Sequence, residues 1–226
     1  MCGRFSLTQT EAEIEERFGA KFYSNDLIKR YNVAPGQLAL VLPADSPTEL
    51  KLYKWGLIPS WSKDPAMGHK MINARSETLH EKPSFKNLLK HKRCLVLADG
   101  FYEWRTLSNR KKQPFRIKLK DDSLFAMAGL WDEWIDPTAG ETVRTFTIIT
   151  VPANPLVQEL HDRMPAILNP EDEKKWIQHQ IDYTEITEIL TPFPENKMVY
   201  HEVTDKLNNT ANDSGDLINP IQTTLF

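Results

Sequence analysis

At 226 residues, 40% hydrophobic and 26% charged, the chain has the make-up of a single globular domain, residues 1–226, with a sizeable core. No apolar run approaches the roughly 20 residues that span a bilayer, no basic-then-apolar leader marks a signal peptide, and two cysteines in so long a chain form no disulfide framework, so a cytoplasmic protein without membrane attachment is expected. A net charge of −3 argues against nucleic acid as a whole-molecule partner and leaves only local basic segments to bind it.

In chain order, the first informative residue is Cys2. Initiator methionine is commonly trimmed before a small residue, and trimming would leave Cys2 with an α-amine and a thiol on adjacent carbons. Their ordinary pKa values, about 7.7–8.0 and about 8.5, put both nucleophilic forms within reach of neutral pH. The amine condenses with an aldehyde to an imine, and the thiol then closes a five-membered thiazolidine. The alternative is an incidental cysteine. Thr8-Gln9-Thr10-Glu11 reads as a capping box opening a helix with Ile14 and Phe18 inward and Gly19 as its stop. Residues 31–37 read as an ordered loop, 38–42 and 50–55 as strands, and 55–61 as a loop displaying aromatics. A helix is predicted over 84–91 and a buried strand over 94–98, stopped by Asp99-Gly100. Strands follow at 114–119, 125–131 and 145–151, helices at 155–161, 170–179 and 184–190, and a strand at 198–203. From about 205 the Asn, Asp, Thr and Gly content predicts a loop-rich tail. Strands outnumber helices without alternating with them, which predicts a compact α+β fold with mostly antiparallel, barrel-like sheets and flanking helices.

Several segments carry chemistry. Asn73 and Arg75, two apart, share a face if extended. Glu103 lies between Tyr102 and Trp104, which would desolvate it and raise its pKa toward that of a proton-transfer group; the alternative is an exposed strand-end carboxylate. His161 titrates near neutrality and Arg163 is a candidate phosphate donor, against a capping or packing role for the histidine. Trp55, Trp61 and Trp104 are candidate stacking platforms for bases, or core residues. Residues 82–93 and 105–120 hold cations without acids, either a phosphate-binding face or solvated surface. The cysteines are far apart and the six histidines scattered, so no metal or other cofactor is expected.

These segments together resemble one family. Cys2-Gly3-Arg4-Phe5, Tyr31-Asn32-Val33-Ala34-Pro35, Trp55-Gly56-Leu57-Ile58-Pro59, Ile72-Asn73-Ala74-Arg75-Ser76-Glu77, Ala98-Asp99-Gly100-Phe101-Tyr102-Glu103-Trp104, Gln113-Pro114-Phe115, Phe125-Ala126-Met127-Ala128-Gly129-Leu130-Trp131 and His161-Asp162-Arg163-Met164-Pro165 are similar, in order, to motifs of the SRAP family, the SOS response-associated peptidases or abasic-site processing proteins. The resemblance implies a compact α+β domain that binds single-stranded DNA and crosslinks to abasic sites through the N-terminal cysteine, a role in the DNA damage response. It places the catalytic group on Cys2, Asn73, Glu103 and His161, and DNA contacts on Arg4, Trp61, Arg75, Thr150 and Arg163. The implied partner is single-stranded DNA containing abasic sites, bound by a monomer that joins the nucleoid when it engages DNA. Two other readings stay open: an N-terminal-nucleophile cysteine peptidase or autopeptidase using the Cys2 thiol, and a reader of single-stranded DNA that does no chemistry.

Overall fold

A computed structural model of the chain describes residues 2–23, 29–108, 110–178 and 181–221. The apolar runs build a closed barrel. Strand Thr142–Pro152 pairs with Phe125–Ile135, which pairs with Arg93–Ala98, then Leu38–Pro43, then Glu49–Trp55. Glu49–Trp55 pairs back, in parallel, with Thr142–Pro152 and closes the ring. A second, antiparallel sheet runs in the order Met198–Glu202, Lys112–Leu119, Gly100–Thr106, Phe5–Leu7, Arg30–Val33. The fold is therefore α+β with mostly antiparallel, barrel-like sheets, and no described helix is long and apolar enough to cross a membrane.

Every residue of Arg93–Ala98 is buried, because the strand faces the barrel interior on one side and a helix on the other. That outer helix, Pro170–Trp176, is capped by Asn169, carries acids in its first turn, and is anchored by the indole of Trp176 donating to the Cys94 carbonyl at 3.0 Å. The chain passes from barrel to second sheet at Asp99, whose carboxylate accepts from the Ser6 and Thr8 hydroxyls, each at 2.6 Å, and from Arg116 at 2.9 Å. This is a buried ion pair with its remaining oxygens satisfied, the arrangement that makes a buried charge tolerable.

Some local expectations change. The helix Glu11–Phe18 is capped by Thr10 with Glu13, not by Thr8 with Glu11, because Thr8 commits its hydroxyl to Asp99. Residues 30–33 form a strand rather than a loop, since Phe5–Leu7 pairs with them. The helix expected over 84–91 is two single turns, Pro83–Lys86 and Leu88–His91. The strand expected over 94–98 does end at Ala98, as Asp99-Gly100 indicates, and a new strand, Gly100–Thr106, follows the bend. The helix expected over 170–179 stops at Trp176, and position 179 lies outside the described residues.

The basic segments are also redistributed. Arg93 is buried and donates to the carbonyls of Leu89, Lys90, Trp176 and Gln178. Arg116 pairs with Asp99, Lys111 with Asp205, Lys118 with Asp122 and Arg105 with Glu159. Acids from other strands and loops partner these four, while Lys112 lines a cleft together with Glu103 and His161.

At Gly56 two backbones cross. Its φ is 116°, and a Cβ there would lie 2.6 Å from the Gly68 carbonyl oxygen. Both the left-handed conformation and the backbone approach require glycine. Gly56→Ala is expected to destabilise by at least the 1–3 kcal/mol typical of forced φ, or roughly 2–4 °C of Tm per kcal/mol. A calorimetric melt within about 1 °C of wild type would contradict this account.

Candidate active site

The N-terminal residues are threaded through the middle of the second sheet. Phe5 pairs with Val33 on one side and Phe101 on the other, and the Tyr102 amide donates to the Arg4 carbonyl at 3.0 Å. Continuing that register brings Gly3 opposite Glu103. Cys2 is fully buried, its carbonyl accepts from the Asn73 amide at 2.8 Å, and its thiol lies 3.8 Å from the Arg4 carbonyl oxygen. Burial pushes the thiol pKa up, and the nearby Glu103 charge pushes it further. The ordinary thiol pKa therefore does not apply: the side chain is held as the neutral thiol.

Glu103 is 3% exposed. Burial raises its pKa from 4.5 to about 7, opposed by the positive charge of the chain terminus and assisted by Asp162. The strand setting achieves what the flanking aromatics suggest, although Trp104 is only half-buried and much of the desolvation comes from the sheet. His161 is lowered, by burial first and then by the same terminal charge. Its Nδ1 accepts the Arg163 amide at 3.0 Å and also lies 2.8 Å from the Asp162 carboxylate. These two contacts need opposite protonation at one nitrogen. The amide contact prevails, because the lowered pKa favours neutral imidazole and the Asp162 side chain is 82% exposed and screened. The Nε2 nitrogen then carries the proton.

Arg4, Glu103, Trp104, Lys112, His161 and Asn208 line a cleft of about 400 Å³. Arg4 lies over Trp104, 5.8 Å from the ring centre, and donates to Asn32 Oδ1 at 2.7 Å and to the Leu207 carbonyl at 3.0 Å. In the sequence Asn32 stands out only within the motif Tyr31-Asn32-Val33-Ala34-Pro35. It is fully buried, and its amide also donates to the carbonyls of Leu207, Asn209 and Asn212. The polar tail thus becomes one wall of the cleft. Turns at Asp205–Asn208 and Gly215–Ile218 bury Leu207 and Leu217, and Asn208 accepts from the Trp104 indole at 2.8 Å. A run rich in Asn and Asp signals loop, and nothing in it indicates which wall it builds.

The other expected DNA contacts lie apart. Strand Asn73–Arg75 runs along one side of Thr142–Pro152 and Arg163–Pro165 along the other, so Arg75 and Arg163 flank the same strand end. Arg75 is exposed. Arg163 is buried and holds the Glu77 carboxylate with both terminal nitrogens, one at 3.0 Å. Thr150 is fully buried, with its hydroxyl 3.5 Å from the Ala74 carbonyl and its own carbonyl accepting from Arg163. In this position Thr150 supports Arg163 from inside. Trp61 is 61% exposed, whereas Trp55 is buried and stacked near-parallel on Phe146 with 6.3 Å between ring centres, a core residue rather than a platform. Among the described residues no group of His, Cys, Asp and Glu is gathered to hold a metal ion.

The family model for SOS response associated peptidase (SRAP) matches residues 1–210. The chain belongs to the SRAP family. It is 44% identical over 222 residues to the abasic site processing protein YoqW of Bacillus subtilis, covering 96% of this chain and 99% of that one. It is 33% identical to the abasic site processing protein YedK of Escherichia coli, covering 98% and 100%. A crystal structure of a protein from Bacteroides thetaiotaomicron superposes with a TM-score of 0.89 at 31% identity, over 97% of this SRAP chain and 99% of that one.

Proposed function

We propose that this SRAP protein processes abasic sites in single-stranded DNA by linking itself to them through Cys2. The observation that carries this reading is that Cys2 is buried close enough to Glu103 for its charge to raise the thiol pKa, while Glu103 and His161 line one cleft. Removal of Met1 turns the Cys2 nitrogen into an amine two positions along the chain from Arg4, which lines that cleft. With its thiol held neutral, the amine attacks C1′ of the ring-opened sugar first and water leaves, giving the imine. The S–H then adds across C=N: sulfur bonds to C1′, the proton passes to nitrogen, and the thiazolidine is closed without oxidant or reductant. Closing it removes the electron sink that would otherwise drive β-elimination and strand cleavage.

Each neighbour has a role in this scheme. Glu103, with a pKa near 7, takes a proton while the sugar opens and returns one as water leaves. His161 offers its Nε2–H to the sugar oxygens. Asn73 fixes the Cys2 carbonyl, and its Oδ1, buried without a partner, is placed to accept from the new amine. The peptidase alternative requires a thiolate, against which burial of Cys2 works. The direct test is a denaturing gel of Met1-processed protein incubated with single-stranded DNA carrying one abasic site. A shifted, heat-stable band is expected, and free DNA alone would overturn the proposal.

Phosphate binding falls to Arg75 and Arg163 on either side of Thr142–Pro152. Affinity for single-stranded DNA should fall with salt at a log–log slope of about −0.7 per phosphate contact. Arg75→Ala is expected to weaken binding and shallow the slope by about that amount. Arg163→Ala should do the same only to the extent that phosphate displaces Glu77 from its guanidinium. Fluorescence anisotropy across a salt series measures both, and a flat wild-type slope would remove these arginines from the account.

A further inference from the structure

Trp61 stands at the third position of the turn Pro59–Ser62, closed by the Ser62 amide donating to the Pro59 carbonyl at 2.8 Å. The segment leading to it pairs with no strand. Three buried side chains of the Phe125–Ile135 and Thr142–Pro152 hairpin hold it instead. Thr145 Oγ1 accepts from the Ile58 amide at 2.9 Å, Asp132 Oδ2 accepts from the Ser60 amide at 2.8 Å, and the Trp134 indole donates to the Ser62 carbonyl at 2.7 Å. Asp132 lies opposite Thr145 in the ladder and Trp134 is two residues further on, so all three side chains share one face. They grip every second residue, 58, 60 and 62, and leave the Trp61 ring in solvent.

Asp132 is 7% exposed, Trp134 3% and Thr145 fully buried. A buried carboxylate is costly unless hydrogen bonds offset it, and Asp132 directs its two oxygens to the amides of Ser60 and Glu133. With the backbone on both sides of Trp61 fixed beforehand, the ring meets a base with little ordering left to do. We infer that Asp132 and Trp134 are positioning residues that pre-set Trp61 as the platform on which a DNA base stacks. This rests on the reading that the protein binds single-stranded DNA.

The test measures affinity for an undamaged single-stranded oligonucleotide, and crosslinking rate at saturating abasic DNA, for Trp134→Phe, Asp132→Ala and Asp132→Asn. Each is made alone and in a Trp61→Ala background, with melts confirming the fold. Trp61→Ala should lower affinity about 5- to 150-fold, the range for losing one stacked base. Trp134→Phe, which keeps the ring packing, and Asp132→Ala should each lower it about three- to tenfold, the size of one side chain's ordering, with the saturating rate unchanged. Asp132→Asn keeps an oxygen for the Ser60 amide and should restore most of the loss. In the Trp61→Ala background none of the three should matter. If Trp61→Ala weakens binding while Trp134→Phe and Asp132→Ala do not, or their losses persist without Trp61, the positioning role is wrong and the DNA reading stands. If Trp61→Ala binds like wild type, stacking at Trp61 falls and this inference with it.

Discussion

Cys2→Ala protein incubated with abasic single-stranded DNA is expected to give no covalent product at all. Alanine keeps an α-amine after methionine removal, so an imine can still form, but it reverses or eliminates and nothing survives denaturation as a closed ring. A variant with one residue retained ahead of Cys2 should also fail, for the complementary reason: its thiol is intact, but the nitrogen is an amide and cannot condense. Requiring both groups separates ring closure from simple Schiff-base or thiol chemistry. The Cys2 side chain is small and fully buried, so Cys2→Ala should cost only about 1 kcal/mol of stability and leave binding to undamaged DNA near wild type. Intact-mass measurement after nuclease digestion identifies the adduct. A wild-type yield of stable product from Cys2→Ala would sink the mechanism.

Glu103→Gln is expected to slow crosslinking by roughly 10²–10⁴, the usual worth of a positioned acid–base group, while abasic-DNA affinity changes by less than a few-fold. Glutamine preserves size and hydrogen bonding and deletes only the titratable proton. The wild-type rate should carry an ionisation near 7, where the Glu103 carboxyl is half protonated, and the variant should lose it. Stability gives an independent check. The folded pKa of about 7 lies above the ordinary 4.5, so between those values the folded state holds the proton more tightly than the unfolded one, and wild-type stability falls as pH rises through that window. Glu103→Gln, fixed in the neutral form, should therefore melt higher than wild type at pH 8, with the gap closing toward pH 5. Equal rates across pH 6 to 8 would make Glu103 scaffold.

The barrel strands were legible because β-branched and apolar runs such as 94–98 and 145–151 are long enough to announce themselves and are buried on both faces. Gly19, by contrast, was legible as a helix stop from local conformation alone: its φ is 62°. Pairing was not legible. That Phe5–Leu7 joins strands from residues 30 and 100, and so drags Cys2 into the interior, depends on register across some ninety residues of chain.

The linear sequence determined the chemistry available: an N-terminal cysteine behind a removable methionine, an Asn and Arg two apart, a glutamate between aromatics, and a histidine beside an arginine. Tertiary structure decided what those groups become. Burial turned the thiol from near-neutral nucleophile into a held proton and lifted Glu103 to about 7, because the cost of removing charge from water depends on everything packed around a group. It also paired Lys111 and Arg116 of the basic run 105–120 with distant acids, seated Thr150 behind Arg163, and made a polar tail into a wall of the cleft through Asn32 and Asn208. Residue type and spacing are local properties, whereas solvation and pairing belong to the whole fold.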